Sequence, residues 1–183
     1  MRCDLRLLCC PRASRGTKPN VEEDLMETEL ARVLIVDDDK NALDGYKRLL
    51  HGIFEVETAL GGGKALAAIH LFGPYEVIIS DMQMPGMNGA EFLAQVRQLA
   101  PDSVRMVLTG HKDVNQAIEA VNEGRIFRYL TKPCEKSELV KAVQLAVEQY
   151  HKTAEEKNLL RESREIKSKA ASLSRVLLSH DLH

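Results

Sequence analysis

Polar side chains follow four apolar runs in this sequence, at the point where each run ends. The aspartates Asp37 to Asp39 come directly after the run VLIV, and Asp81 comes directly after the run VIIS. Thr109 and Lys132 follow two later runs. If these runs are parallel strands of one open sheet, their carboxyl ends lie along one edge, where such sheets keep their binding crevice. The sequence therefore predicts that these side chains meet at that edge.

Crowded carboxylates constrain the chemistry of such an edge. Three or more of them repel one another, so either some are protonated or a cation neutralises them. Oxygen ligands suit Mg²⁺, which prefers octahedral coordination and keeps several waters. An aspartate, a hard cation, a lysine and a hydroxyl together can stabilise a phosphoryl group during transfer. The pattern therefore favours phosphoryl transfer with a magnesium cofactor.

Each of these residues also has a purely structural interpretation. Asp39 precedes helical spacing that begins at Asn41, so we assign it to a helix N-cap rather than to the metal. Thr109 can simply end its strand, and Lys132 can be a solvated loop charge. For each residue alone both interpretations stay open, and their repetition at four strand ends favours function.

Apolar periodicity predicts the elements that position these residues. Strand-like runs cover residues 33–36, 53–59, 77–81, 104–108 and 126–130. Helical spacing follows each run, including a stretch from Val114 that ends at Gly124 and a last helix from about Glu135. Five strands alternating with five helices predict an α/β fold with a doubly wound parallel sheet and helices on both faces.

Bulk composition excludes several classes of protein. The chain has 183 residues and a net charge of −2, which gives no electrostatic argument for binding nucleic acid or a membrane surface. The four cysteines lack the spacing of a zinc site, and no apolar stretch is long enough to span a bilayer. We therefore expect a cytoplasmic protein without a membrane span or direct contact with nucleic acid.

The domain organisation follows from composition. Residues 1–31 are predicted to be a disordered leader, residues 32–150 one domain, and residues 151–183 a helical linker or a weak coiled coil. Leu145, Leu159, Ile166 and Leu173 fall on one seven-residue repeat, which Lys152 interrupts. The companion seam positions 149, 156, 163, 170 and 177 are about half polar. A solvated single helix and a homodimer through this C-terminal helix and face are both open.

Four motifs give the sequence a family resemblance. They are VLIVDDD at 33–39, IISDMQMPGMNG at 78–89, LTG at 108–110 and YLTKP at 129–133. In this order and spacing, residues from about 32 to 150 resemble the receiver domain of bacterial two-component response regulators. The resemblance implies a flavodoxin-like sheet with strand order 2-1-3-4-5 and a C-terminal helical extension. It also implies a regulatory phosphoacceptor rather than an enzyme.

The resemblance implies roles for the acidic residues. Asp81 matches the aspartate that takes a phosphoryl group from a sensor histidine kinase or a phosphotransfer protein. Asp37 and Asp38 match the acidic pair that binds Mg²⁺ together with the phosphoacceptor. The backbone carbonyl of Gln83 completes the implied protein ligands of the metal.

The resemblance also implies a switch. Lys132 matches the lysine that contacts the phosphoryl oxygens, and its peptide bond to Pro133 is expected to be cis. Thr109 matches the hydroxyl that moves towards the phosphate. Tyr129 matches the aromatic residue that turns inward with that hydroxyl.

Three further interpretations remain open. The stretch NEGRIFRYLTKPC resembles receivers joined to HD-type cyclic-di-GMP phosphodiesterases. Asp37 and Asp39 also have the D-x-D spacing of aspartate-nucleophile phosphatases of the haloacid dehalogenase type, although this would leave the Asp81 motif unexplained. A receiver-like scaffold that signals without phosphate is the third. Since no effector motif is visible, we expect either a helical partner-binding tail or a chain cut before its effector.

Overall fold

The apolar runs of the sequence form the strands of a single sheet. The computed structural model describes residues 30–110 and 126–180. The elements are β1 (Arg32–Asp37), α1 (Lys40–Leu50), β2 (Glu55–Leu60), α2 (Gly62–Phe72), β3 (Val77–Asp81), α3 (Gly89–Leu99), β4 (Val104–Thr109), β5 (Arg128–Thr131) and α4 (Lys136–His180). The predicted helix from Val114 to Gly124 lies outside the described residues, as do residues 1–29 of the predicted leader.

The five described strands are parallel and lie in the order β2-β1-β3-β4-β5, which confirms the predicted fold. β1 and β3 pair at the centre, with Val33 opposite Val77 and Val36 opposite Ser80. Both are buried along nearly their whole length, as expected for strands covered on both faces. Because every pairing is parallel, the carboxyl ends of all these strands lie at one edge of the sheet.

Alternate side chains of each strand enter two cores, one on each face of the sheet. Leu34 and Ile78 belong to the core that α2 and α3 cover. Ile35 and Ile79, their neighbours along the chain, belong to the core that α1 and α4 cover. The central strands are therefore fixed from both sides, and the residues at their ends have little freedom to move.

The second strand begins two residues later than the sequence predicts. The run 53–59 is apolar from Ile53, but the backbone N–H groups of Ile53 and Phe54 both donate to the carbonyl of Leu50, at 3.1 and 3.2 Å. These two residues therefore close the end of α1, and β2 begins at Glu55. Hydrophobicity alone cannot separate a buried turn from the strand that follows it.

The last helix, α4, is one continuous element of 45 residues. Its first turns bury Leu139, Val143 and Ala146 against the sheet. Beyond Ala154 every described side chain of the helix is exposed, up to residue 172. In the part of the chain that the structure describes, no helix is long and apolar enough to cross a membrane.

Candidate functional site

Three carboxylates meet at the carboxyl edge of the sheet. Asp37 is the last residue of β1 and Asp81 the last of β3, and their exposed fractions are 2% and 6%. Asp38, which follows β1, is exposed. One oxygen from each of the three carboxylates lies within 4.8 Å of the other two. The parallel pairing of β1 with β3 places Asp37 and Asp81 side by side, as the sequence predicts.

Lys132 brings a positive charge into this cluster from the end of β5. Its Nζ lies 2.7 Å from Asp37 Oδ2 and 2.6 Å from Asp81 Oδ1. The backbone N–H of Lys132 donates to the carbonyl of Thr109 at 2.8 Å, which holds the end of β5 against β4. The peptide bond between Lys132 and Pro133 is cis. One ammonium group therefore touches two carboxylates that come from different strands.

Backbone N–H groups orient the same two carboxylates. The N–H of Asp39 donates to Asp37 Oδ1, and the N–H of Gln83 donates to Asp81 Oδ2, both at 2.9 Å. Asp39 itself caps α1, since its side chain accepts from the N–H of Asn41 at 2.8 Å. Each buried carboxylate is thus held by one backbone donor and by Lys132, while Asp39 has the capping role that the sequence predicts.

The electrostatics of the cluster leave negative charge in excess. Burial raises the pKa of Asp81, and Lys132 opposes this shift while the Asp37 carboxylate adds to it. Burial by itself would lower the pKa of Lys132, but its contacts with Asp37 and Asp81 raise it overall, so the ammonium stays charged. One ammonium cannot neutralise three carboxylates. A hard oxygen set of this kind can hold a divalent cation.

The two expected switch residues lie beside the cluster without joining it. Thr109 ends β4 and is fully buried, and its hydroxyl donates to the carbonyl of Gly110 at 3.2 Å. Tyr129 lies on β5 opposite Val107 and is half-buried against the core under α2 and α3. The structure therefore places both residues on β4 and β5, the two strands that follow β3 towards one side of the sheet.

Gly89, the first residue of α3 and the last of the motif IISDMQMPGMNG, lies against the site. A Cβ at this position would lie 2.2 Å from the carbonyl oxygen of Asp81, far closer than real contacts allow. The N–H of Gly89 also donates to the carbonyl of Met82 at 2.9 Å. The loop after β3 can fold back over Asp81 only because this residue has no side chain. The pair Asn88–Gly89 is the sequence signal, but nothing in it reveals the close approach.

A cleft of about 530 Å³ lies beside the cluster. It is lined by Asp38, Met82, Gln83, Met84, Pro85 and Asn88. Of the three carboxylates, that of Asp38 lines the cleft, together with the loop that follows β3.

Comparisons with known proteins identify this arrangement. A family model described as the response regulator receiver domain matches residues 33–144. The hydrogenase transcriptional regulatory protein HoxA of Cupriavidus necator is 39% identical over 123 residues, which are 67% of this chain and 25% of HoxA. The chain thus spans about a quarter of the length of the curated relatives it matches.

Solved structures agree with the family model. A structure titled as adenylate cyclase from Rhodopirellula baltica has a TM-score of 0.70 and 43% identity, and the match covers 72% of this chain and 98% of that one. The signal receiver domain of an HD domain-containing protein from Pseudomonas fluorescens Pf-5 has a TM-score of 0.63 and 31% identity, covering 68% and 99%. The names of these two structures refer to different output activities. The resemblance to receivers joined to HD-type phosphodiesterases therefore stays a prediction.

The same findings do not favour the haloacid dehalogenase alternative. The second aspartate of its D-x-D spacing, Asp39, caps α1 instead of facing the cluster. The phosphate-independent scaffold is not favoured either, because the family of the match is regulatory. Three findings point to the same family. The sheet has the strand order 2-1-3-4-5, an acidic cluster lies at its carboxyl edge, and the family model matches more than half of the chain. This protein belongs to the response regulator receiver domain family.

Proposed function

We propose that Asp81 accepts a phosphoryl group from a sensor histidine kinase or a phosphotransfer protein. The observation that carries this proposal is the ammonium of Lys132, which lies 2.6 Å from Asp81 Oδ1 and 2.7 Å from Asp37 Oδ2. It places a fixed positive charge where a phosphoryl group on Asp81 would develop negative charge. Lys132 is therefore the phosphoryl contact and Asp81 the nucleophile.

The transfer is a displacement at phosphorus. One carboxylate oxygen of Asp81 attacks the phosphorus of a phosphohistidine, so that a P–O bond forms as the P–N bond breaks. The imidazole leaves with the electron pair of the broken bond and takes up a proton. Gln83 N–H, which donates to Asp81 Oδ2, holds the carboxylate in one orientation during attack. Positioning and charge stabilisation are all that this chain needs to supply.

Mg²⁺ is the cofactor of this proposal. Asp37, Asp38 and Asp81 offer carboxylate oxygens close enough together for one ion. The backbone carbonyl of Gln83 would be the remaining protein ligand, as the family resemblance implies. Bound there, the ion would neutralise the excess negative charge and polarise the phosphoryl oxygens. Asp38, the exposed member of the set, gives the ion a route from solvent.

The response is a rearrangement of Thr109 and Tyr129. A phosphoryl group adds acceptor oxygens at the strand ends, and the hydroxyl of Thr109 can leave the carbonyl of Gly110 to donate to them. Space vacated by Thr109 lets the half-buried ring of Tyr129 turn inward. This change occurs on β4 and β5, whose Leu108 and Leu130 share a core with Leu139 of α4, so we propose α4 as the element through which the domain signals.

The output lies beyond what a receiver domain does by itself. We propose a regulatory cytoplasmic role, with only self-phosphorylation and self-dephosphorylation as chemistry. The partner that supplies the phosphoryl group is the kinase or phosphotransfer protein. A second copy of the chain, bound through α4, is a further partner. Phosphorylation would then shift a balanced monomer–dimer equilibrium.

Intact mass spectrometry tests the phosphoacceptor. The protein is incubated with acetyl phosphate in Mg²⁺ or in EDTA, and we expect a gain of one phosphoryl group only with Mg²⁺. Asp81→Asn should abolish the gain. Asp39→Asn is the matched control, because asparagine keeps the capping role, and it should be labelled like the wild type. Labelling of Asp81→Asn at the wild-type rate would overturn the proposal.

A further inference from the structure

Among the methionines in the described residues, only Met87 is not buried. Met82, Met84 and Met106 are 3%, 7% and 0% exposed, whereas Met87 is partly exposed. Gln95, an exposed residue of α3, donates from Nε2 to Met87 Sδ at 3.6 Å. A thioether is a weak acceptor, and it is oxidised where an oxidant can reach it. Met87 is therefore the methionine in this part of the chain that a dissolved oxidant meets first.

Met87 helps to hold the start of α3. It precedes Asn88, the N-cap residue, which forms a capping box with Glu91. Its side chain packs against the core that contains Phe92, the fourth residue of the helix. An apolar residue before the N-cap and another at the fourth helical position are the parts of a hydrophobic staple, which fixes the angle at which the chain enters a helix. The start of α3 thus depends on an apolar side chain at position 87.

The sulfur of Met87 has little free space on the side that faces α2. A Cβ added to Gly62, the first residue of α2, would lie 3.0 Å from Met87 Sδ. An oxygen atom bonded to this sulfur cannot point towards Gly62 without pushing the two segments apart. Burial in the apolar core would also cost free energy, because a sulfoxide oxygen needs a hydrogen-bond donor. The exposed amide of Gln95 is such a donor, so oxidation would draw the side chain of Met87 out of the core.

The start of α3 also places Gly89 against Asp81. The N–H of Gly89 donates to the carbonyl of Met82 at 2.9 Å, and a Cβ at Gly89 would come within 2.2 Å of the carbonyl oxygen of Asp81. A shift in the entry to α3 moves Gly89 together with the loop that carries Gln83, whose N–H donates to Asp81 Oδ2 at 2.9 Å. A change at Met87 can therefore reach the carboxylate of Asp81 through a series of direct contacts.

We propose that oxidation of Met87 to the sulfoxide by a peroxide is a switch that slows phosphorylation of Asp81. This inference rests on the function proposed for Asp81. The sulfur of Met87 attacks one oxygen of hydrogen peroxide, so that an S–O bond forms as the O–O bond breaks. Hydroxide leaves with the electron pair of the broken bond, takes up the proton of the oxygen now bound to sulfur, and becomes water. The sulfur loses two electrons and the peroxide gains them, and a methionine sulfoxide reductase reverses the change.

Phosphorylation rates before and after hydrogen peroxide test the switch in the full chain. Dithiothreitol follows the peroxide, and each protein is compared with its own rate before treatment. We expect peptide mapping to find one added oxygen on Met87 before any on Met106, and labelling by acetyl phosphate with Mg²⁺ to slow by about tenfold in parallel. Methionine sulfoxide reductases should restore the rate. Met87→Leu, which keeps an apolar side chain and the same thiols, should not slow, whereas Met106→Leu, in the core under α1 and α4, should slow like the wild type.

Amide hydrogen exchange separates this switch from the role of Asp81. After peroxide we expect the N–H groups of Gly89 and Glu91 to exchange about tenfold faster in the wild type and at an unchanged rate in Met87→Leu. Exchange needs no phosphoryl transfer, so a chain that is not labelled even before peroxide counts against the proposed function, while faster exchange still supports the change at Met87. Unchanged exchange or unchanged labelling with Met87 fully oxidised overturns the switch, as does equal slowing of Met87→Leu.

Discussion

The two ends of the sheet differ in how well their charged groups are balanced. At the carboxyl edge, Lys132 faces more carboxylates than it can neutralise. Nearer the amino ends, the guanidinium of Arg32 lies 2.6 Å from Glu57 Oε1 and 4.7 Å from the ring centre of Tyr75. The hydroxyl of Tyr75 donates to Glu57 Oε2 at 2.6 Å. Here the carboxylate of Glu57 satisfies both the cation and the hydroxyl, and a second carboxylate, that of Glu55, lies 3.7 Å from Arg32 Nε.

The difference shows in the pKa values. The hydrogen bond that Arg32 donates to Glu57 raises the pKa of Arg32, and burial together with the same carboxylate raises the pKa of Tyr75 to about 12. Each of these shifts favours the protonation state that the contacts need. At the carboxyl edge burial raises the pKa of Asp81, so the fold disfavours the ionised form that a nucleophile requires. A balanced group stabilises the fold, whereas an unbalanced group is available for a ligand.

Gly89→Ala should give the largest change at the carboxyl edge. A methyl group 2.2 Å from the carbonyl of Asp81 must push the loop away, together with the N–H and carbonyl of Gln83. We expect the rate of phosphorylation by acetyl phosphate and the affinity for Mg²⁺ to fall by about tenfold or more. Gly45→Ala is the control, because a Cβ there meets nothing within 4 Å, and helix propensity should make it slightly stabilising. Wild-type kinetics for Gly89→Ala would show that the close approach does not position the site.

Asp81→Asn should stabilise the protein when no metal is present. The variant removes a buried charge that Asp37 repels, while Lys132 keeps its contact with Asp37. We expect the free energy of unfolding in urea with EDTA to rise by on the order of 1 kcal/mol. Saturating Mg²⁺ should reduce the difference in unfolding free energy between the variant and the wild type, because the ion stabilises the wild type. Asp44→Asn, an exposed change on α1, should alter neither value. A less stable Asp81→Asn protein would mean that the edge is already balanced.

Tyr75→Phe should cost stability without affecting phosphorylation. It removes the hydrogen bond to Glu57 and should lower the free energy of unfolding by about 1 kcal/mol. Because folding raises the pKa of Tyr75 from 10.0 to about 12, the wild type should lose this contribution as the pH rises between those values. The variant should show no such loss. Urea unfolding at pH 8 and pH 11 tests this. Slower phosphorylation of the variant would show that the contacts near the amino ends of the strands also affect the carboxyl edge.

The smallest effect is expected where α4 leaves the amino end. Lys157 and Asp102 form an ion pair whose side chains are 54% and 57% exposed, so Lys157→Ala should change the free energy of unfolding by only about a few tenths of a kcal/mol. We expect faster amide hydrogen exchange in α4 near residue 157, with the sheet unchanged. Arg161→Ala, one turn further along, is the matched exposed control. A loss of sheet protection would show that this contact supports the whole domain.

Much of the carboxyl edge could be predicted from the sequence. Apolar runs that end in aspartate predict both the central strands and the place of Asp37 and Asp81, because a parallel sheet gathers its carboxyl ends. The contact of Lys132 with Asp37 joins residues 95 positions apart, and its pattern in the sequence is no more than a lysine after a strand. That one ammonium touches two carboxylates at once is a result of strand order and register.

The amino end could not be predicted in the same way. Arg32, Glu57 and Tyr75 come from three separate segments, and each alone has the pattern of an ordinary surface residue. Their contacts depend on how β1 lies beside β2 and on the turn before β3, which no local pattern encodes. The close approach of Gly89 to Asp81 is likewise a matter of tertiary distance.

The sequence by itself determined the sheet, its strand order through family resemblance, and the residue types at its functional edge. Hydrophobic burial accounts for this, because strand periodicity and strand ends are local properties of the chain. Tertiary structure alone decided which charges are balanced and which are not. Charge balance depends on distances of a few ångströms between residues far apart in the chain, and on the burial that strengthens their interaction. For that reason the contact of one ammonium with both Asp37 and Asp81, and the pairing of Arg32 with Glu57, become visible only in the folded protein.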